Sequence, residues 1–306
     1  MSFAVVYVTD ISFAAVTCAS IHSLVTASKT RLDIFVLGFG LDKTIRTQIQ
    51  KSLALLDAHI EIIEAEALTG MPKAKSLPPS SYGRMLLDAY IPYRYERLLY
   101  LDGDTWIDLD LTPLIQLDMR DHTLGAVLDF GRILSGYAKE DATRLNFSPE
   151  GQYFNSGVLL VDYKKWRETT MGTRAITALQ ENPQRFRQGD QCALNYACKG
   201  QWLPLNARWN YQGDLITLFP KTGIVRHYIS SAKPWKTDKI RYPLFDVKQY
   251  QTFFQTSPFP LPKALHHRSD REITLKVALR CFNPRLLGRY LRLKKLVRHY
   301  NRTAFA

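Results

Sequence analysis

Arg97-Leu98-Leu99-Tyr100-Leu101-Asp102-Gly103-Asp104 is an unbroken apolar stretch of strand length that ends in two carboxylates separated by one glycine. Such a run reads as a strand buried on both faces, so the acidic pair falls at the rim of a sheet. Open α/β sheets bind ligands at that rim. Gly103 lets the backbone turn tightly, and Asp102 and Asp104 can then share one hard divalent cation that also holds phosphate oxygens. The competing reading is ordinary turn chemistry between a strand and the next element. Trp106-Ile107-Asp108-Leu109 follows at once, which wedges the acidic turn between two segments expected to be buried. A carboxylate pair in that place is costly without a counter-charge.

Working outward, the chain alternates. Strands are expected at Phe3 to Val8, Leu32 to Leu37 and Ile60 to Ile63, with helices at Ala14 to Ala27 and Lys43 to Leu56 between them. This β-α-β-α-β order predicts an α/β protein with a mostly parallel sheet. A Pro/Ser-containing loop, Pro72 to Ser80, leads to a helix from Tyr82 to Tyr90 that Pro92 breaks. Later strands fall at Leu124 to Leu128, Gly157 to Val161 and Gly223 to His227, with helices at Tyr163 to Gln180 and Gln191 to Ala197. Pro258, Pro260 and Pro262 mark a hinge, so residues 1–257 are expected to form the catalytic domain and residues 258–306 a separate basic helical region.

The 306 residues carry a formal charge of +13, unevenly placed. From Lys263 onward twelve Lys and Arg face only Asp270 and Glu272, a net of +10 that leaves +3 for the first 262 residues. Leu286, Tyr290, Leu293, Val297 and Tyr300 recur at helical spacing with Leu287, Leu291 and Leu296 beside them, while Arg292, Lys295, Arg298, His299 and Arg302 project to the opposite side. That division suits attachment to an anionic membrane surface, with about 1 kcal/mol from each basic residue. The same stripe could instead pack on the chain's own body. Nucleic acid is not an expected partner, because the aromatic residues lie on the apolar stripe and form no stacking platform. The N-terminal segment lacks a basic n-region and Asp10 interrupts its apolar run, so neither a signal peptide nor a spanning helix is expected and the chain is placed in the cytoplasm. Cys18, Cys192, Cys198 and Cys281 show no zinc spacing and predict no disulfide.

Six blocks carry a resemblance. Val5-Val6-Tyr7-Val8-Thr9-Asp10, Tyr82-Gly83-Arg84, Leu99 to Asp104, Tyr153-Phe154-Asn155-Ser156-Gly157-Val158-Leu159-Leu160, Gly189-Asp190-Gln191 with Leu194-Asn195, and His227-Tyr228 with Lys233-Pro234-Trp235 occur in the order seen in the family-8 glycosyltransferases. The chain most resembles the bacterial lipopolysaccharide and lipooligosaccharide galactosyl- and glucosyltransferases. The resemblance implies a GT-A fold and retaining transfer of a hexose from a UDP-sugar to a saccharide or glycolipid acceptor, with Mn²⁺ or Mg²⁺ on the diphosphate. Asp102, Asp104 and His227 would be the metal ligands, a set that suits Mn²⁺. Val8, Thr9, Asp10 and Ser12 would hold the nucleoside, joined by Asp102, Gly103 and, at the phosphates, Lys233. Arg84, Asn155 and Asp190 would take the donor hydroxyls, Gln191 would lie against the anomeric carbon, and Asp129 would stand on the acceptor side. Asp10 and Asp190 are also plain helix caps in a bland reading.

Gln191 is an amide and a poor nucleophile, which favours front-face transfer with the leaving phosphate taking the acceptor proton. Asp190 is the adjacent carboxylate. Two departures stand out: Ser12 replaces the asparagine of many relatives, and Ile229-Ser230 replaces a small residue and glycine after His227-Tyr228. Two alternatives remain. A sugar nucleotidyltransferase would need a glycine-rich loop that Val8-Thr9-Asp10-Ile11-Ser12 lacks; a non-catalytic membrane or nucleic-acid adaptor would leave Asp102, Asp104, His227 and Lys233 unexplained.

Overall fold

The computed structural model describes residues 1–72, 78–146, 153–218, 223–229, 231–236, 242–265, 270, 275 and 284–305. Ten strands are present among them: β1 (Phe3–Asp10), β2 (Leu32–Phe39), β3 (Ala58–Ala65), β4 (Arg97–Leu101), β5 (Thr105–Ile107), β6 (Leu124–Leu128), β7 (Phe154–Asp162), β8 (Leu203–Pro204), β9 (Tyr211–Gln212) and β10 (Val225–His227). Seven make the central sheet in the order β3-β2-β1-β4-β7-β6-β8, and β5-β10-β9 make a small second sheet. β3, β2, β1 and β4 are parallel, and β7 runs against both β4 and β6.

This order places the site. β1 pairs with β2 on one side and β4 on the other, Tyr7 opposite Leu101, so the sheet's switch point lies beside Asp10 and Asp102. Because β7 is antiparallel, its first residues arrive where β4 ends, and the amide of Asp102 donates to Gly157 O at 2.8 Å. In the second sheet His227 stands opposite Thr105 and so comes beside Asp104.

The helix Ala14–Ala27 packs under the acidic turn with Ala, Ser, Thr and Cys, whose small side chains permit close approach. Ser20 Oγ lies 2.8 Å from Thr105 Oγ1, which donates to Asp102 O at 2.8 Å. Gly103 serves that approach and has no left-handed backbone: a Cβ there would sit 2.3 Å from Thr17 Oγ1. The tight turn expected here is present, closed by Thr105 N donating to Asp102 O at 3.2 Å, but the glycine is needed for the close contact with Thr17 and not for a left-handed backbone.

Several expected elements differ. Pro79–Met85 is a 3-10 helix and only Leu87–Tyr90 is α-helical, so Arg84 is turned inward and buried. The stretch from Tyr163 is two helices, Tyr163–Glu168 and Met171–Glu181, divided at Thr170 in the left-handed region. The region after Phe130 holds the helices Phe130–Ser135 and Tyr137–Leu145, and Leu244–Thr256 is a further helix. Ser230 and Cys281 lie outside the described residues.

The C-terminal helix, Pro284–Tyr300, lies on the body through Tyr290, Leu293 and Tyr300, while Leu287 and Leu291 face outward at 52% and 61% exposure. Tyr300 packs edge-on against Phe130, and its hydroxyl donates to Leu205 O at 2.7 Å. Beyond it Phe305 bridges to Leu205 beside the short strand β8. The Pro258–Pro262 segment is held as well: Gln48 Nε2 donates to Pro258 O, and Phe259 is buried.

Candidate active site

Two cavities meet at the end of β4. One, of about 490 Å³, is lined by Val8, Thr9, Asp10, Tyr100, Gly103 and Lys233 among others; the second, of about 500 Å³, by Asp129, Arg132, Asn155, Asp190, Gln191 and Arg289 among others. Arg84, Asp102, Asp104 and Ile229 belong to both. Each cavity falls in the size range of small-ligand sites, and a ligand spanning the two passes over the acidic pair.

Asp102, Asp104 and His227 stand at this border with one ligand atom each inside 4.8 Å of the others. Their setting fits a cation. Asn155 Oδ1 accepts from both Gly157 N and Asn210 Nδ2, which turns Asn210 Oδ1 toward His227 Nδ1 at 3.0 Å. Nδ1 must then donate, so the Nε2 lone pair faces Asp104 Oδ1 at 3.1 Å and Asp102 Oδ2 at 3.5 Å. Three electron-rich atoms converging in this way call for a positive ion among them. Gly157 opens the space, since a Cβ there would fall 2.1 Å from His227 Cε1 and 2.6 Å from Asp102 Oδ2.

The protein's own cations brace these carboxylates. Lys233 Nζ lies 2.5 Å from Asp104 Oδ2. Burial alone would push the Asp104 carboxyl up, but the Lys233 ammonium outweighs it and holds the group below the usual range. Arg84 Nη2 reaches Asp102 Oδ1 at 2.8 Å and its Nε reaches Asp190 Oδ2 at 2.9 Å. Tyr100 donates to Asp102 Oδ1 at 2.7 Å. For Asp190 burial wins: the carboxyl is pushed up to about 6, with Arg84 opposing and Asp102 adding to the rise.

Asp190 opens the helix Asp190–Cys198 after Gly189, which has φ of 52°. Asn195 pins that helix to β7 by accepting from Phe154 N and donating to Phe154 O. Gln191 is thereby set against β7: its Oε1 accepts from Ser156 N and Asn155 Nδ2, and its Nε2 donates to Asp129 Oδ2 at 3.0 Å. Asp129 also caps the helix Phe130–Ser135. Asp10 caps the turn before Ala14 by accepting from Ser12 and Phe13, and takes a hydroxyl bond from Ser80 at 2.6 Å.

Most residues singled out in the sequence therefore gather around the two cavities. Ser12 lines neither; its hydroxyl donates to Asp10 Oδ1 at 2.7 Å and orients that carboxylate. Sequence reading missed Tyr100, Asn210 and Ser156, whose parts depend on tertiary hydrogen bonds, and Arg132 and Arg289 on the far wall.

Residues 4–239 match the model of glycosyl transferase family 8. The chain belongs to this family. The lipopolysaccharide 1,2-glucosyltransferase of Escherichia coli K12 is 26% identical over 272 residues, covering 83% of this chain and 78% of that one. The lipopolysaccharide 1,3-galactosyltransferase of Salmonella typhimurium LT2 is 25% identical over 201 residues, covering 62% and 58%. The solved structure of the galactosyltransferase LgtC with donor and acceptor sugar analogs matches with a TM-score of 0.72 at 24% identity, over 85% of this chain and 98% of that one. The fold of this family 8 glycosyltransferase is thus GT-A, with the mostly parallel sheet and flanking helices expected. No helix among its described residues is long and apolar enough to cross a membrane.

Proposed function

We propose that this family 8 glycosyltransferase moves galactose or glucose from a UDP-sugar to a hydroxyl of a saccharide acceptor, with retention at the anomeric carbon, in building a lipopolysaccharide core or another surface glycan. The observation that carries the reading is the Asp102, Asp104 and His227 cluster at the border of two cavities, one at the sheet's switch point and one rich in amides and carboxylates. Asp102, Asp104 and His227 would hold Mn²⁺ or Mg²⁺, which when bound supplies a Lewis acid for the departing diphosphate. Lys233, which pairs with Asp104, would meet the same phosphates.

In the second cavity Arg84, Asn155 and Asp190 orient the donor hydroxyls. Asp190 is paired to Arg84, which favours positioning over nucleophilic attack. Gln191 is held by three bonds, its amide oxygen turned to Ser156 N and Asn155 Nδ2, and an amide so held is a poor nucleophile, in keeping with front-face attack. Asp129 and the far wall would receive the acceptor. The exposed Leu287 and Leu291 and the basic residues of the C-terminal helix suit attachment to the anionic inner face of the cell membrane.

The test is UDP release from UDP-galactose and UDP-glucose by the purified protein, with Mn²⁺ and with excess chelator. Release from one donor that stops with chelator is expected. Chelator-insensitive release would overturn the cation assignment. Absence of both release and thermal stabilisation by UDP would overturn the donor assignment.

A further inference from the structure

The acceptor wall contains a residue from an unexpected place. Arg289 belongs to the C-terminal helix, 50 residues beyond the family match that ends at 239, yet it lines the same cavity as Gln191 and Asp190. Its side chain is 44% exposed and meets Asp214 Oδ2 through Nη2 at 3.3 Å. That is a single-point contact, weaker than the two-pronged pairing a guanidinium can make with a carboxylate or phosphate.

Arg132 lines the same cavity, and its counter-charge is divided. Asp141 receives Arg132 on one carboxylate oxygen and Arg144 on the other, so one buried acid balances two guanidinium groups. From Pro284 to Phe305 the chain has seven Lys and Arg and no acid. Around Arg289 and Arg132, guanidinium groups thus outnumber the carboxylates they pair with, Asp141 and Asp214, while Asp129, Asp190, Asn155 and Gln191 in the same cavity suit sugar hydroxyls.

We infer that the acceptor is an anionic saccharide, bearing a phosphate or carboxylate that Arg289 receives with support from Arg132. This deepens the proposed function and rests on it. Asp129 holds the acceptor's hydroxyls near the donor sugar, and the arginines select for charge on the acceptor. A purely structural role for Arg289, tying the C-terminal helix to Asp214, gives a different expectation: loss of Asp214 would then act like loss of Arg289.

The experiment uses the full chain saturated with UDP and Mn²⁺, so that added anions do not enter the nucleotide cavity. Methyl glucoside, its 6-phosphate and methyl glucuronide are titrated by ligand-observed NMR at 50 and 200 mM salt. The proposal expects at least one anionic probe to bind tenfold or more tighter than the neutral sugar at low salt. Comparing the two anionic probes tells phosphate from carboxylate. Arg289→Gln should bring all three to near parity, and Asp214→Asn should keep or enlarge the preference. Equal binding of the three probes to the unaltered protein, survival of the preference in Arg289→Gln, or its loss in Asp214→Asn would each overturn it. The donor reading fails separately, through absence of thermal stabilisation by UDP.

Discussion

At the scale of single residues the site is a set of charges whose neighbours were chosen for space and tautomer. Gly157 shows the space. Gly157→Ala drives a methyl into His227 and Asp102, and overpacking of this kind costs about 1–3 kcal/mol. We expect the variant to fold with a slightly lower Tm, while the Mn²⁺ concentration giving half-maximal UDP release rises tenfold or more. Unchanged Mn²⁺ dependence would count against the cluster as the cation site. Asp190 shows the charge. Its carboxyl titrates near 6 in the folded protein, so donor binding through the ionised form should strengthen as pH rises through 6, giving kcat/KM an acid limb there. Stability runs the other way. A raised carboxyl favours the folded state fully below the ordinary carboxylate range, and that contribution is withdrawn as pH climbs from about 4 toward 6. Asp190→Asn should lower kcat/KM and remove the limb; a limb that persists in the variant assigns it to another group.

At the scale of elements, the C-terminal helix and the cavity wall around Asp129 form one structure. Leu128 N donates to the Tyr300 hydroxyl and Phe130 packs on its ring, so both neighbours of Asp129 rest on this side chain. Tyr300→Ala should cost about 3–5 kcal/mol, a Tm loss of roughly 5–10 °C, and should raise the acceptor KM more than the donor KM. Tyr300→Phe, which keeps the ring and loses the hydroxyl's bonds, should cost about 1–2 kcal/mol and restore most of the acceptor KM. Equal changes in the two KM values would restrict Tyr300 to stability. Elements of this kind were hard to read in the sequence. The helix Ala14–Ala27 and strands β4 and β6 carry long or bounded apolar runs, and their limits were legible to the residue. Phe130–Ser135 and Tyr137–Leu145 are short, meet at Gly136 with φ of 80°, and end at Asn146 with φ of 55°. Tertiary packing decides such segments, and local pattern does not reveal them. The site divides likewise: Asp102, Asp104 and His227 sit in readable motifs, whereas Asn210 gains meaning only once Asn155 and His227 are beside it.

At the scale of the whole molecule, the uneven charge of the chain becomes an oriented surface. The helix Pro284–Tyr300 turns Tyr290, Leu293 and Tyr300 inward and presents Leu287, Leu291 and basic side chains outward, next to the cavity lined by Asp129 and Arg132. Binding to vesicles containing anionic lipid should be salt-sensitive, and Leu287→Asp with Leu291→Asp should weaken it at least tenfold in co-sedimentation. Vesicle binding indifferent to both salt and the double variant would remove the membrane from the account. One packing feature also bears on how the enzyme comes into being. Tyr300 closes on Leu205, 95 residues earlier, and Phe305 pairs beside β8 at the margin of the sheet. The margin of the sheet at β6 and β8 therefore cannot be completed during synthesis until Tyr300 and Phe305 have left the ribosome. A chain stopped before Tyr300 would thus leave Leu128 and Phe130, the two neighbours of Asp129, without the side chain that clasps them.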